Sequence, residues 1–234
     1  MSHPAPIAVA LDAPDLETAA RWADLVTPHV STVKIGLELY LRYGPGVVAS
    51  IRGASGVRIF LDLKLHDIPA TVAGAARAVA RLRPDIVTVH ASAGSEVIRA
   101  AVQAAPDTVI AGVTVLTSLG SADLESIGLR GPVSDAVRRL AVLAVGAGAR
   151  ALVCSPREVA AVRAEVGPAI KLITPGVRPA GADRNDQARV ATPEEALREG
   201  ADLLVIGRPI TGAADPGAAA SAIAAPLRRL APAD

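Results

Sequence analysis

Aromatic residues are scarce in this chain of 234 residues, where one Trp, two Tyr and one Phe make up 2% of the sequence. Proteins that bind single-stranded nucleic acids stack the bases on aromatic side chains within a basic groove. The formal net charge is only +1, and the basic residues are spread along the chain rather than grouped. We therefore expect no nucleic-acid partner.

Long apolar runs are missing, and cysteine is almost absent. No segment reaches the roughly 18 consecutive apolar residues that a membrane-spanning helix needs, and the first residues show no signal-peptide pattern. Cys154 is the single cysteine, so an intrachain disulfide cannot form. These features predict a cytoplasmic protein that does not associate with membranes.

Lysine is also rare, since only Lys34, Lys64 and Lys171 occur among the 24 basic residues and all the others are arginines. A sequence that uses arginine for general surface charge retains lysine where a compact, titratable ammonium group is required. The three lysines are therefore candidate functional residues, with biased codon usage as the alternative explanation.

Short apolar segments of β type alternate along the chain with segments of helical periodicity, and 51% of all residues are hydrophobic. This alternation predicts a parallel sheet, and eight such units favour closure into a TIM barrel. We thus predict a single α/β domain, a (β/α)8 barrel over residues 1–234, with a doubly wound open sheet as the alternative. The eight predicted strands cover residues 7–11, 32–35, 57–63, 86–90, 109–116, 149–154, 170–174 and 203–206.

The predicted strands carry charged residues toward their carboxyl ends, where TIM-barrel enzymes place their active sites. Asp62 and Lys64 are two residues apart on the third strand, so their side chains point to the same face; Lys34 lies on the second strand and Asp67 follows the third. Nearby carboxylates keep a lysine protonated, which favours proton delivery to a carbanion over imine formation. The alternative is a buried ion pair that only helps to specify the fold.

Histidines and carboxylates in the same region raise the question of a metal site. Asp62, His66 and Asp67 are ligand types, but Lys64 among them already supplies positive charge, so we predict no metal. His66 and His90 are interpreted as residues of the site wall.

A phosphate site is predicted at the ends of strands seven and eight, where TIM barrels often bind phosphate. Residues 174–178 read Thr-Pro-Gly-Val-Arg, and Gly207-Arg208 follow strand eight. Glycine lets backbone N–H groups approach a phosphate, and arginine donates two parallel hydrogen bonds. The long loop over 175–191 is interpreted as a lid, with a surface insertion as the alternative.

Residues 60–69, Phe-Leu-Asp-Leu-Lys-Leu-His-Asp-Ile-Pro, closely resemble the signature of the orotidine 5′-phosphate decarboxylase family. This resemblance implies a carboxy-lyase that removes CO2 from orotidine 5′-monophosphate (OMP) to give UMP in de novo pyrimidine biosynthesis, without metal or organic cofactor. Further segments resemble the family in the same order through nearly the whole chain, at residues 10–12, 34–36, 113–118, 174–178 and 205–208.

The resemblance also implies individual residue roles. Lys64 would protonate C6 of the pyrimidine ring, and Asp62 would lie beside the carboxylate of the substrate. Asp67, with Ile68 and Thr71, would reach the site of a neighbouring subunit, which implies a homodimer with shared active sites. The other implied contacts are Asp12 and Lys34 with ribose hydroxyls, where they complete the charged array, Thr117 with the pyrimidine, and Arg178, Gln187, Gly207 and Arg208 with the phosphate.

Two rival functions fit the same predicted barrel. One is a sugar-phosphate decarboxylase or aldolase that uses Mg²⁺, which would not explain residues 66–69 or the long lid. The other is a barrel that binds a phosphorylated ligand without catalysing a reaction. Turnover of OMP in the presence of EDTA distinguishes the decarboxylase from both.

Overall fold

The computed structural model describes residues 4–53, 56–179 and 191–230. Eight parallel strands pair in sequence order, and the eighth pairs with the first to close a barrel. The predicted (β/α)8 fold is thus confirmed, and the open-sheet alternative is wrong. The strands are β1 (Ala5–Ala10), β2 (Val30–Gly36), β3 (Arg58–Leu65), β4 (Ile86–His90), β5 (Val109–Val113), β6 (Ala151–Val153), β7 (Lys171–Thr174) and β8 (Leu203–Ile206).

Helices surround the barrel and follow the strands in the alternating pattern that the sequence predicts. A short 3-10 helix, Ala91–Ala93, follows β4. None of the helices within the described ranges is both long and apolar enough to cross a bilayer. The α-helices are α1 (Leu16–Val26), α2 (Leu37–Tyr43), α3 (Gly46–Arg52), α4 (Pro69–Ala80), α5 (Ser95–Ala104), α6 (Ser121–Ser126), α7 (Val133–Gly146), α8 (Val159–Val166), α9 (Pro193–Arg198), α10 (Arg208–Thr211) and α11 (Pro216–Leu227).

Two apolar layers stabilise the barrel, one inside it and one between strands and helices. The larger layer lies outside the strands and is rich in Ala, Val, Leu and Ile. Small residues let the helices approach closely: a Cβ added to Gly112 on β5 would lie 2.7 Å from the Cβ of Ala144 on α7. The smaller layer fills the barrel interior and consists of Ala8, Phe60, Ile86, Ala111, Ala151, Ile173 and Leu203.

The strand β3 is irregular near its carboxyl end, where the charged residues lie. Leu61 pairs with Val87 and Leu65 pairs with Val89, so four steps along β3 correspond to two along β4. Lys64 within this bulge has a φ of 48°, a left-handed conformation that a non-glycine residue rarely adopts. Such a bulge re-aims side chains next to functional sites.

Candidate active site

A cavity of about 300 Å³ opens at the carboxyl ends of the strands. The sequence predicts a site at this end of the barrel. Apolar side chains form much of the wall, including Phe60, Val113, Val153 and Val205. Polar and charged residues line it as well: Asp12, Lys34, Asp62, Lys64, Thr117, Arg178 and Arg208.

Four charged side chains form a row of alternating sign along the β1–β3 side of this cavity. Lys34 Nζ lies 3.6 Å from Asp12 Oδ1 and 3.6 Å from Asp62 Oδ2. Lys64 Nζ lies 2.9 Å from Asp62 Oδ2 and 3.0 Å from Asp62 Oδ1. Lys34 and Asp62 are buried, whereas the Lys64 side chain is 32% exposed and can meet a ligand.

Asp62 is the centre of the row. Burial alone would raise its pKa, but the ammonium groups of Lys34 and Lys64, with hydrogen bonds from Lys64 and Thr88, outweigh burial and lower the pKa. Asp62 is therefore ionised at neutral pH, with fixed negative charge between two fixed positive charges. The sequence predicts that Asp62, Lys64 and Lys34 lie close together, and the structure places both lysines beside Asp62.

The lowered pKa of Asp62 predicts a pH dependence of stability. A carboxyl group with a lower pKa in the folded state stabilises the protein above its unfolded pKa, 3.8, and this contribution is lost as pH falls through the folded value. We expect the unfolding free energy of wild type minus that of Asp62→Asn to be constant from pH 7 to about pH 5 and to decrease below pH 4. Urea unfolding of both proteins at several pH values measures this difference. The contributions of the other acidic groups to the unfolding free energy are common to both proteins and cancel. A difference that grows toward acid would contradict the sign.

The remaining predicted binding residues divide into two groups. Thr117, Arg178, Gly207 and Arg208 line the same cavity as Lys34. Asp67, Ile68 and Thr71 instead lie outside the cavity lining, on an exposed edge over residues 66–71. Asp67 Oδ1 accepts a hydrogen bond from its neighbour, the Ile68 backbone N–H, at 2.6 Å. Gln187 and most of the predicted lid lie outside the described residues.

The predicted phosphate loops reach the same cavity from β7 and β8. Arg178 is 7% exposed and lies two residues after Gly176, whose φ of 83° allows the turn that follows β7. Gly207 and Arg208 follow β8 directly. Two guanidinium groups thus lie at the cavity edge that the sequence assigns to phosphate.

His66 and His90 stack beside the charged row, with ring centroids 5.1 Å apart. Burial, followed by the influence of His66 and Lys64, lowers the pKa of His90, so it is neutral at pH 7. Within the described ranges, no three His, Cys, Asp or Glu side chains group as metal ligands would.

Thr88 is a site residue that the sequence analysis missed. It lies on β4, is fully buried, and its hydroxyl donates a hydrogen bond of 2.9 Å to Asp62 Oδ1. The available signal was its spacing, since Thr88 lies two residues before His90 and two after Ile86, on the inward face of the strand.

Fold and site together define a TIM-barrel enzyme whose site is a row of alternating carboxylate and ammonium groups. The sequence matches the family described as "Orotidine 5'-phosphate decarboxylase / HUMPS family" over residues 5–223. The chain belongs to this family.

Individual relatives are similar over nearly their whole length. The chain is 73% identical to "Orotidine 5'-phosphate decarboxylase" of Thermobifida fusca (strain YX), over 96% of this chain and 97% of that protein. It is 61% identical to the protein of the same name from Frankia casuarinae, over 95% of this chain and 88% of that protein. A crystal structure of orotidine 5'-phosphate decarboxylase from Lactobacillus acidophilus superposes with a TM-score of 0.82 at 36% identity, covering 94% of this chain and 97% of that one.

Proposed function

We propose that this protein decarboxylates OMP to UMP in pyrimidine biosynthesis, without a metal or organic cofactor. The observation that carries the proposal is the row Asp12, Lys34, Asp62 and Lys64 at the cavity mouth. Relatives of 73% and 61% identity named orotidine 5'-phosphate decarboxylase support it. Residues 1–234 would form the single domain that carries the activity.

In the proposed reaction, the bond between C6 of the pyrimidine and its carboxylate breaks, and the electron pair remains on C6 as CO2 leaves. The Lys64 ammonium group donates a proton to C6, which gives UMP, and the neutral amine regains a proton from water. Lys64 suits this role because its side chain is partly exposed and Asp62 holds the ammonium group in place. Thr117, which also lines the cavity, would contact the pyrimidine.

Asp62 contributes through its charge. A substrate carboxylate about 4 Å from Asp62 would be repelled by roughly 4 kcal/mol at an effective dielectric constant of 20. Enzymes commonly lower barriers by about 8–23 kcal/mol, so this repulsion supplies only a part. The larger part comes from the ammonium groups of Lys64 and Lys34, whose fixed positive charge stabilises the developing carbanion.

The ribose and the phosphate would bind to neighbouring parts of the cavity, because β8 pairs with β1 and a Cβ added to Gly207 would lie 3.5 Å from the Cβ of Ala10. Asp12 and Lys34 would bind the ribose hydroxyls, and the phosphate would meet Arg178, Gly207 and Arg208, with Gln187 from the lid. Interactions with the phosphate, far from C6, supply binding energy that stabilises the transition state.

The experiment that tests the function is an absorbance assay that follows conversion of OMP to UMP by purified, EDTA-treated protein. We expect turnover that EDTA does not reduce, and none with keto-sugar phosphates. Turnover of a sugar phosphate only after Mg²⁺ is added would favour the aldolase or sugar-phosphate decarboxylase. Binding of OMP without turnover would favour a ligand-binding barrel. Either result would refute the proposal.

We further propose a cytoplasmic homodimer in which each subunit completes its partner's site. Within one chain Asp67, Ile68 and Thr71 lie outside the cavity lining, and Ile68 is 65% exposed. A partner that covers residues 66–71 would bury this apolar side chain and bring a carboxylate to the partly exposed Lys64. The single buried Cys154, a free thiol, fits a reducing compartment.

Gly36 provides a test of the ribose side of the site. A Cβ added to Gly36 would lie 3.0 Å from Asp12 Oδ1 and 3.2 Å from Lys34 Nζ. We expect Gly36→Ala to displace both groups and to raise the KM for OMP about tenfold, or about 1.4 kcal/mol. Gly46→Ala is the matched control, because a Cβ there would have no atom within 4 Å. An unchanged KM would show that neither group contacts the substrate.

A further inference from the structure

Thr88 joins the two central residues of the site through a single hydroxyl group. Its oxygen accepts a hydrogen bond of 2.8 Å from the backbone N–H of Lys64, and its O–H donates one of 2.9 Å to Asp62 Oδ1. The direction of both bonds is fixed, since an amide can only donate and an ionised carboxylate can only accept. Thr88 is fully buried on β4, behind the described residues that line the cavity.

The bulge in β3 explains why a side chain makes the contact to Lys64. Regular pairing stops between Leu61 and Leu65, so the Lys64 N–H donates to the Thr88 hydroxyl in place of a ladder carbonyl. This hydrogen bond holds the backbone of Lys64 at its left-handed φ of 48°. A backbone in that conformation persists only when its surroundings fix it.

We propose that Thr88 is a positioning residue for the decarboxylation, which fixes the Lys64 backbone and the Asp62 carboxylate relative to each other. This inference rests on the proposed function. Thr88 would not contact the substrate; it would act through Lys64 and Asp62, which do. One hydroxyl can coordinate both because the bulge brings the Lys64 amide and the Asp62 side chain to the same point on β4.

Removing the hydroxyl would change both contacts at once. Thr88→Val keeps the shape of the side chain but leaves the Lys64 N–H without its acceptor and Asp62 Oδ1 without its buried donor. The Thr88 hydrogen bond is one of the causes that lower the Asp62 pKa, so its loss moves that pKa upward. The charged or titratable groups that act on Asp62 and remain are Lys34 on β2, Lys64 on β3 and His90 on β4.

The test compares the steady-state kinetics of Thr88→Val and Thr88→Ser with OMP. For Thr88→Val we expect kcat to fall roughly 10²-fold, the effect of a misplacement of about 1 Å, with KM within about threefold of wild type. The acid limb of its kcat–pH profile should move to higher pH. Thr88→Ser retains the hydroxyl and should restore kcat and the acid limb to near the wild-type values.

Thr108→Val is the matched control. Thr108 lies directly before β5, is also buried, and its hydroxyl donates a hydrogen bond to the backbone carbonyl of Pro84. Its kcat and pH profile should match wild type. A folded Thr88→Val with wild-type kcat and acid limb would overturn the proposal, as would equal losses in Thr88→Val and Thr88→Ser. If Thr88→Val does not fold, the test is made with Thr88→Ser and Thr88→Ala, which differ from each other only by the hydroxyl group. Equal kcat values of these two variants would overturn the proposal. Absence of wild-type turnover would instead refute the proposed function.

Discussion

Lys64→Ala is expected to reduce decarboxylation of OMP by at least 10²–10⁴-fold, the range that a positioned proton donor contributes. The barrel should nevertheless remain folded. Asp62 keeps Lys34 Nζ at 3.6 Å and the Thr88 hydroxyl at 2.9 Å, so the variant leaves no unpaired buried carboxylate. The absorbance assay measures the loss, and circular dichroism with urea unfolding measures the fold.

The chain offers a matched control for this variant. Lys171 is the lysine at the start of β7, at the amino end of its strand and outside the cavity lining. Lys171→Ala removes the same side chain and the same charge, and it should leave kcat and KM near the wild-type values. Turnover of Lys64→Ala near that of Lys171→Ala would rule out the proton-donor role of Lys64.

Mixing two inactive variants should restore activity if the sites are shared between subunits. Lys64→Ala lacks the proton donor of its own site, and Asp67→Ala lacks the group that it would contribute to its partner. In a hybrid dimer one site carries both defects and the other carries neither. Random exchange of an equal mixture makes half the dimers hybrid, so about one quarter of all sites become wild type.

The assay for this second prediction is the recovery of OMP turnover after the mixture has been incubated to equilibrium. Each variant treated alone provides the background, and native mass spectrometry with one tagged subunit measures how many hybrids form. Recovery in proportion to the hybrid fraction is expected. Activity that stays at the background, although hybrids are present, would place Asp67 outside the partner's site.

Most of the barrel could be predicted because its strands have a strong local pattern. The predicted strands at residues 86–90 and 203–206 match β4 and β8 in their bounds. The strand predicted for 109–116 ends earlier, at Val113. Its apolar run continues because Val115 and Leu116 line the cavity rather than extend the ladder. Hydrophobic periodicity reports burial and does not distinguish these two uses.

The charged row could be predicted in part for a similar reason. Two-residue spacing placed Asp62 and Lys64 on one face, and strand order placed Lys34 beside them, as the structure confirms. The bulge and the left-handed φ of Lys64 could not be predicted. They depend on the pairing of β3 with β4, and no local propensity of Leu-Lys-Leu favours them. Thr88 was missed because its spacing from Ile86 and His90 indicates an inward-facing side chain but not the contact of its hydroxyl with Asp62.

The barrel and the end at which its charged residues collect could be inferred from the sequence, because hydrophobic periodicity and the order of the strands are visible along the chain. The rarity of lysine marked Lys34, Lys64 and Lys171 alike, and of these the structure places Lys34 and Lys64 in the cavity lining and Lys171 outside it. The folded barrel was needed to show which charges pair, at what distances, and that Thr88 on β4 joins Asp62 to the Lys64 backbone. Those contacts link residues 24 and 26 positions apart in the chain. Their geometry is set by strand register and burial, which arise only when the barrel closes.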